Sequence, residues 1–164
     1  MRNTLPNSGK FLSSTISFFL ILIWIGNDHI GKFLFHNEFT GKLSDITGLI
    51  VFPFLLTNLA FIISFRKLPE GILFFLANLS IVTLFFIINW SQDWSYWIYA
   101  KFFGNQNGVA DKTDLLCIPF TIFANIYLYK KYSIQDIPVT LRIKVLNVIA
   151  IILSTIAFMN TSNP

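Results

Sequence analysis

Two long apolar segments with a very short connection constrain the fold of this chain most. They cover residues 46–65 and 71–90, and only the five residues from Arg66 to Glu70 separate them. A helix needs about 20 apolar residues to cross the roughly 30 Å hydrocarbon core of a bilayer. Both segments have this length, and so short a connection forces two such helices to run antiparallel. The pattern predicts a membrane-spanning helical hairpin.

Three further apolar segments extend this pattern along the chain, at residues 11–26, 115–129 and 143–159. An aromatic segment at residues 94–103 is only about ten residues long, which favours a helix lying in the membrane interface. Charged residues make up 12% of the chain, against roughly 25% in soluble domains. We therefore predict one membrane-embedded domain over residues 1–164. It is an all-α integral membrane protein, a bundle of about five transmembrane helices with one interfacial helix.

The distribution of basic residues between the connecting segments predicts the orientation. Cytoplasmic loops of membrane proteins are enriched in Lys and Arg. One set of helix ends carries eight such residues: Arg2, Lys10, Arg66, Lys67, Lys130, Lys131, Arg142 and Lys144. The opposite set carries four: Lys32, Lys42, Lys101 and Lys112. This bias predicts a cytoplasmic N-terminus and, with five spans, an extracytoplasmic C-terminus.

Aromatic residues and the remaining charge pattern agree with this orientation. All four tryptophans, Trp24, Trp90, Trp94 and Trp97, fall near the predicted outer helix ends, where indole rings favour the headgroup layer. The net charge of +4 comes from short basic clusters without a continuous basic face, so nucleic acid is not an expected partner. The lipid bilayer is the expected one. The sequence contains no glycine-rich phosphate loop, nucleophile elbow, His-Glu-x-x-His or Cys-x-x-Cys motif.

Four predicted spans each contain an asparagine: Asn58, Asn78, Asn125 and Asn147. An unpaired amide is costly in lipid, so hydrogen bonds between helices are the expected role. An asparagine-lined conduit is the functional alternative. Pro53 and Pro119, each early in a span, are expected to bend their helices and to free carbonyl groups for a neighbour or water.

Polar residues at two borders between loop and span form the candidate site. The first border contains Lys42, Ser44 and Asp45, and the second contains Asp111, Thr113 and Asp114. Asp28 and His29 follow the first span on the same predicted side. Both borders place a hydroxyl and a carboxylate before an apolar segment that enters from outside. We therefore expect Asp45 and Asp114 to be spatial neighbours.

Three interpretations of these residues stay open at the sequence level. Asp45 and Asp114, or Ser44 and Thr113, could cap helix N-termini, where a carboxylate also offsets the helix dipole. Asp28, His29, Asp45 and Asp114 are alternatively candidate ligands of a divalent cation, since carboxylates with one imidazole suit hard or borderline metals. A catalytic site at the headgroup layer would use Asp or His as general base, with Lys42 or Lys112 binding a phosphate.

These motifs resemble a family of small bacterial inner-membrane proteins of uncharacterised activity. The resemblance covers residues 27–119 and is carried by Asn27-Asp28-His29, Gly41-Lys42-Leu43-Ser44-Asp45, Gly48-Leu49, Phe52-Pro53 and Asp111-x-Thr113-Asp114-Leu115. It implies the bacterial cytoplasmic membrane. The chain is also faintly similar to VanZ-like membrane proteins, but Asp28-His29 lacks their Asp-x-x-His spacing and their Asp-Glu-x-x-Gln motif is missing. No residue role is carried over from them.

The predicted function is that of a binding or accessory component with a polar, acidic site on the extracytoplasmic face. A lipid headgroup or another membrane protein is the expected partner at that face. The alternative is a membrane enzyme that acts on a lipid-linked or headgroup substrate.

Overall fold

The computed structural model describes residues 5–31, 34, 38–64, 67–104 and 108–161. This part of the chain is helical and contains no strand. The α-helices are α1 (Asn7–Leu12), α2 (Thr15–Gly26), α3 (Glu38–Ile63), α4 (Glu70–Trp90), α5 (Gln92–Phe103), α6 (Cys117–Ile134) and α7 (Leu141–Thr161). A π-helical turn, Asn27–Gly31, continues α2, and a 3₁₀ turn, Lys112–Leu116, precedes α6.

Three of the described helices are long and apolar enough to cross a membrane. They lie at Phe39–Ile63 in α3, Glu70–Trp90 in α4 and Leu141–Phe158 in α7. These correspond to the predicted spans at residues 46–65, 71–90 and 143–159, although Phe65 lies outside the described residues. Of the other two predicted spans, α2 with its π-helical turn is a shorter apolar helix, and the 18-residue α6 is long enough but is not among the helices apolar enough to span.

The first predicted span, residues 11–26, is not one continuous helix. Ser13 and Ser14 separate α1 from α2, because their side chains satisfy backbone groups that a continuous helix would pair internally. The Ser14 hydroxyl accepts a hydrogen bond from the backbone N–H of Ser17 at 3.2 Å. The Ser13 hydroxyl donates to the carbonyl of Gly9 at 2.8 Å. The short α1 is consequently buried among α3, α6 and α7.

Helix α3 begins eight residues before the predicted start of its span. A hydropathy pattern detects only the apolar part of a helix. Polar turns that extend the helix beyond this part are therefore missed. Lys42, Ser44 and Asp45 therefore lie within a 26-residue helix and not in a loop before it. The expectation that Ser44 or Asp45 caps this helix is wrong, because both residues are well inside it.

Pro53 determines a central contact of the bundle. Proline has no N–H, so the carbonyl of Leu49, four residues earlier, has no partner within α3. Asn125 of α6 donates to this carbonyl at 2.9 Å and also donates to Oδ1 of Asn78 in α4 at 2.9 Å. The predicted use of a freed carbonyl by a neighbouring helix is confirmed here, and one amide joins three helices.

The other two asparagines join α1, α3 and α7. Asn58 of α3 donates to Oδ1 of Asn147 in α7 at 3.0 Å. Asn147 in turn donates to the Gly9 carbonyl at 2.9 Å. The expectation that the four asparagines hydrogen-bond between helices is confirmed. These bonds hold α1 inside the bundle although it has fewer than two turns.

Two charged side chains fasten one end of the bundle. The Glu70 carboxylate accepts hydrogen bonds from the N–H groups of Asn7 and Ser8 at 2.8 and 2.7 Å, which satisfies the N-terminus of α1. The Lys10 ammonium donates to the carbonyl of Gln135 at 2.8 Å, just beyond the C-terminus of α6. Both charges are favourable at these helix ends. Lys10 is buried, so it has a structural role that charge bias alone did not predict.

The tryptophans divide into two groups. Trp90, Trp94 and Trp97 are each 55% exposed, as an interfacial position requires. Trp24 also lies near a helix end, that of α2, but it is only 2% exposed, so its ring packs inside the bundle. Its ring packs against Gly48, where an added Cβ would lie 3.1 Å from the indole. Gly48 therefore permits the close approach of α2 and α3.

Candidate functional site

The candidate site lies at the end of the bundle opposite Glu70 and Lys10, where one face of α3 meets the 3₁₀ turn. Residues at helical positions i, i+3, i+7 and i+10 share a face. Lys42, Asp45, Leu49 and Phe52 have this spacing. Polar and apolar parts of the site therefore follow each other down a single face of α3, with Lys42 outermost.

Lys42 connects this face to the second predicted border. Its ammonium donates to Oγ1 of Thr113 at 2.7 Å and forms an ion pair with Oδ1 of Asp114 at 3.2 Å. The carboxyl group of Asp45 also lies close to that of Asp114. The expectation that Asp45 and Asp114 are neighbours is thus confirmed. We call Lys42, Asp45, Thr113 and Asp114 the polar cluster.

Local backbone geometry explains the position of Thr113 and Asp114. Asp111 caps the 3₁₀ turn, because its carboxylate accepts the backbone N–H of Thr113 at 2.8 Å. Neither Thr113 nor Asp114 provides the cap, contrary to expectation, and Asp114 is free to turn toward α3. Asn89, near the end of α4, accepts the backbone N–H of Asp111 at 3.3 Å and so fixes the start of this turn.

Burial and hydrogen bonding shift the pKa values of Asp114 and Asp111 in opposite directions. Burial raises the pKa of Asp114, and the nearby negative charge of Asp111 adds to this, although the hydrogen bond from Lys42 opposes both. Hydrogen bonds from the Thr113 backbone and side chain lower the pKa of the exposed Asp111. The pKa of Asp114 in the cluster is thus raised, whereas that of Asp111, at the start of the same turn, is lowered.

Asp28 joins the site through a different partner. The π-helical turn carries Asp28, whose Oδ1 accepts the hydroxyl of Ser44 at 2.7 Å. In the same turn, Asn27 donates to the Thr40 carbonyl at 2.6 Å and holds the turn against α3. His29 is exposed. All eight predicted site residues therefore lie at the same end of the bundle. Asp28 is hydrogen-bonded to Ser44, and Lys42 is bonded to Thr113 and Asp114.

The candidate cation ligands are not assembled around one point. Among the described residues, no group of three or more His, Cys, Asp or Glu side chains is arranged to hold a metal ion. Asp28 is bonded to Ser44, whereas Asp45 and Asp114 face each other. A divalent cation bound by Asp28, His29, Asp45 and Asp114 stays a prediction, and this arrangement provides no preformed site for it.

A cavity of about 380 Å³ opens directly beside the polar cluster. Helix α3 forms its back wall, α4 one side and α5 its roof, while Trp24 and Phe158 contribute from α2 and α7. Most of its surface is apolar, with main contributions from Leu49, Phe52, Ile81, Phe85, Ile88 and Ile98. Ser44, Asp45 and Tyr99 supply its polar groups. Asp45 therefore belongs to both the cluster and the cavity.

Tyr99 is a site residue that the sequence did not reveal. Burial, followed by the negative charge of Asp45, raises the pKa of its phenol. Helical periodicity carries the relevant signal: Ser95, Ile98 and Tyr99 share the inward face of α5, while Trp94 and Trp97 share the outward face. Helix α5 thus presents tryptophans outward and covers the cavity with its other face.

Comparisons with known proteins give no relative. The chain matches no protein-family model, no curated protein and no solved structure. The resemblance to a family of small bacterial inner-membrane proteins stays an expectation. Function must be argued from the geometry of the site.

Proposed function

We propose that this chain is a multi-pass protein of the bacterial cytoplasmic membrane that binds a lipid-like ligand or headgroup at the extracytoplasmic end of its bundle. It acts as a binding or accessory component. One observation carries this proposal: the polar cluster borders an apolar cavity through Asp45, which belongs to both. A water-facing polar site beside a hydrocarbon-lined space is complementary to a molecule that has both characters.

Membrane insertion and orientation are part of the proposal. Three long apolar helices are compatible with a membrane protein. The end with Glu70 and Lys10 carries Lys67, Lys130 and Lys131, which supports a cytoplasmic location under the positive-inside rule. The polar cluster would then be extracytoplasmic. Arg2, Lys32 and Arg66, which also entered the predicted charge bias, lie outside the described residues.

The proposal predicts that molecules retained during purification depend on the polar cluster. Native mass spectrometry of the protein extracted from membranes should detect a retained molecule on the wild type. Asp45→Asn should reduce its occupancy by roughly tenfold, because a charge-assisted hydrogen bond is lost, and Lys42→Met should change its occupancy as well, because the ion pair of Lys42 with Asp114 is lost. Asp136→Asn, the same exchange at an exposed position of the opposite end, is the matched control. Equal occupancy in all four proteins, at unchanged melting temperature, would refute a binding role for the cluster.

A second candidate function, a membrane enzyme acting on the same ligand, is favoured by the neighbouring carboxyl groups of Asp45 and Asp114. Two close carboxyl groups can serve as general acid and general base when one is protonated and the other is ionised. Here burial raises the pKa of Asp114. An enzyme would convert the retained molecule in wild type but not in Asp114→Asn, with binding preserved. A pure binding protein would leave it unchanged in both.

A further inference from the structure

The walls of the cavity define the part of the ligand that would fill it. A volume of about 380 Å³ falls within the roughly 300–1,000 Å³ range of small-molecule sites. Walls built from Leu, Ile and Phe side chains give water no hydrogen-bond partners, so hydrocarbon is the favoured occupant. The space is narrow at its back, where Phe52 stacks on Phe158 with ring centroids 4.3 Å apart. These dimensions suit one alkyl chain better than a bulky ring system.

The α4 side of the cavity borders the surface that we propose to face lipid. Leu84, which lines the cavity, is 42% exposed, whereas Ile81, one turn earlier, is 8% exposed. Leu79 and Phe86 on the same helix are also exposed. A chain from the outer leaflet could therefore reach the cavity past α4 without crossing water. The source of the ligand would be the membrane itself.

The charge at the polar end defines the head of the ligand. Among the described residues at this end, the acidic ones include Asp28, Asp45, Asp93, Asp111 and Asp114, and the basic ones include Lys42, Lys101 and Lys112. The Lys42 ammonium already binds Thr113 and Asp114, and Lys112 lies 5.3 Å from the ring centroid of Trp90. Such an excess of carboxyl groups attracts cations and repels anions.

A cationic head would also meet matched hydrogen-bond acceptors at the mouth of the cavity. The carboxyl groups of Asp45 and Asp114 lie close together, and an ammonium group can donate hydrogen bonds to both. The aromatic face of Tyr99, which lines the same mouth, is a suitable neighbour for a cation. An anionic head would meet only repulsion from this pair.

We propose that the cavity binds a single-chain amphiphile with a cationic amine head, its chain against Leu49, Phe52 and Phe85 and its head at Asp45. This inference rests on the proposed function and names the class of ligand for the same site. It commits to an amine from the membrane, and neutral or anionic amphiphiles become outcomes of its test.

The test uses the full-length protein in lipid nanodiscs and a photoreactive alkyl amine with a diazirine in its chain. Cross-linked peptides identified by mass spectrometry should include Leu49, Phe52 or Phe85. Dodecylamine should compete with this labelling at least about tenfold better than dodecanol, which has the same chain and no charge. Dodecyl sulfate should compete least. Asp45→Asn should bring dodecylamine and dodecanol close to equal.

A pair of substitutions on α4 separates cavity binding from general partition into lipid. Leu84→Trp narrows the cavity and should reduce labelling at Leu49 and Phe52 several-fold. Leu79→Trp makes the same change on the exposed face of α4 and should leave this labelling unchanged. Melting temperatures of both variants verify that they fold.

Contrary results would overturn different parts of the proposal. Equal competition by dodecylamine, dodecanol and dodecyl sulfate would overturn the amine head, while the proposed binding function would stand if the retained molecule still depended on Asp45. Labelling that Leu84→Trp does not reduce would overturn the cavity as the chain site. Failure of the proposed function itself is seen separately, as a retained molecule indifferent to both Lys42→Met and Asp45→Asn.

Discussion

Single residues explain why this bundle brings distant polar groups together. Pro53 removes one N–H from α3, and Asn125 uses the carbonyl that is left at Leu49. Asp111 takes the capping role at the 3₁₀ turn, and this leaves Asp114 available to Lys42 and Asp45. Residue type alone does not predict that Asp111 is the cap, because Asp111, Thr113 and Asp114 are all good capping residues. The choice among them depends on the packing of the turn against α3.

Replacement of Asn125 should destabilise the bundle more than replacement of Asn78. Asn125→Leu removes two interhelical hydrogen bonds and leaves the Leu49 carbonyl without its donor, whereas Asn78→Leu removes one. Each such bond contributes about 0.5–2 kcal/mol. Thermal unfolding in detergent should therefore rank wild type above Asn78→Leu and both above Asn125→Leu.

The exposed Ser80 on α4 provides the control for this comparison. Ser80→Leu makes a similar polar-to-apolar change without removing an interhelical bond, so its melting temperature should stay close to that of wild type. Equal losses in Asn78→Leu and Asn125→Leu would contradict the special role of the carbonyl freed by Pro53.

The raised pKa of Asp114 predicts the direction of a pH effect on stability. An unfolded aspartate has a pKa of about 3.9. Because burial raises the pKa in the folded state, the folded protein keeps this proton when the unfolded chain has already lost it. Stability from this group must therefore fall as pH rises from about 4 through the folded pKa. Asp114→Asn cannot lose that proton and should lack this part of the decline.

Melting temperatures of wild type and Asp114→Asn, measured from pH 4 to pH 7, test this effect. The difference between variant and wild type should shift in favour of the variant as pH rises and then level off. Asp136→Asn, at an exposed position, serves as the matched exchange and should show no such trend. A difference that moves in the opposite direction would mean that the ion pair with Lys42 dominates over burial.

At the scale of elements, the sequence predicts helices well where a hydrophobic segment coincides with helix limits. The predicted span at residues 71–90 agrees with α4, Glu70–Trp90, since Pro69 and Ser91 bound both the apolar segment and the helix. The early start of α3 and the break between α1 and α2 were not predicted. In both cases polar residues explain the difference. In α3, polar turns precede the apolar segment. Between α1 and α2, hydroxyl groups bond to backbone groups in place of their helical partners.

The polar residues of the site were predictable from the sequence, whereas the apolar residues that line the cavity were not. Asp45, Asp114 and their neighbours stand out as charges next to apolar segments, and their proximity follows from the order of the spans. The cavity has no comparable signal, because Leu49, Phe85 and Ile98 resemble any other apolar residues of a span. The cavity depends on the distance between α4 and α7 in front of α3. The packing of all the helices together determines this distance.

At the scale of the whole molecule, the two ends of the bundle differ in the charges that they collect. Glu70 and Lys10 fasten the end with more basic residues, and Lys42 and Asp114 join helices at the acidic end. The positive-inside rule therefore predicts which end is cytoplasmic. The number of crossings depends on α6, which has 18 residues but carries Lys130 and Lys131 and is not among the helices apolar enough to span.

Cysteine labelling in intact cells tests this topology. In a Cys117→Ser background, a membrane-impermeant maleimide should label Lys101→Cys and should not label Lys67→Cys or Lys130→Cys until the membrane is opened. Gly108, between α5 and the 3₁₀ turn, is buried and therefore unsuitable for labelling. A reporter fused to the C-terminus should be active only outside the cytoplasm. Labelling of Lys130→Cys in intact cells, together with a cytoplasmic C-terminus, would mean an even number of crossings. Because α3, α4 and α7 are each long enough to span, the helix that does not cross would then be α6.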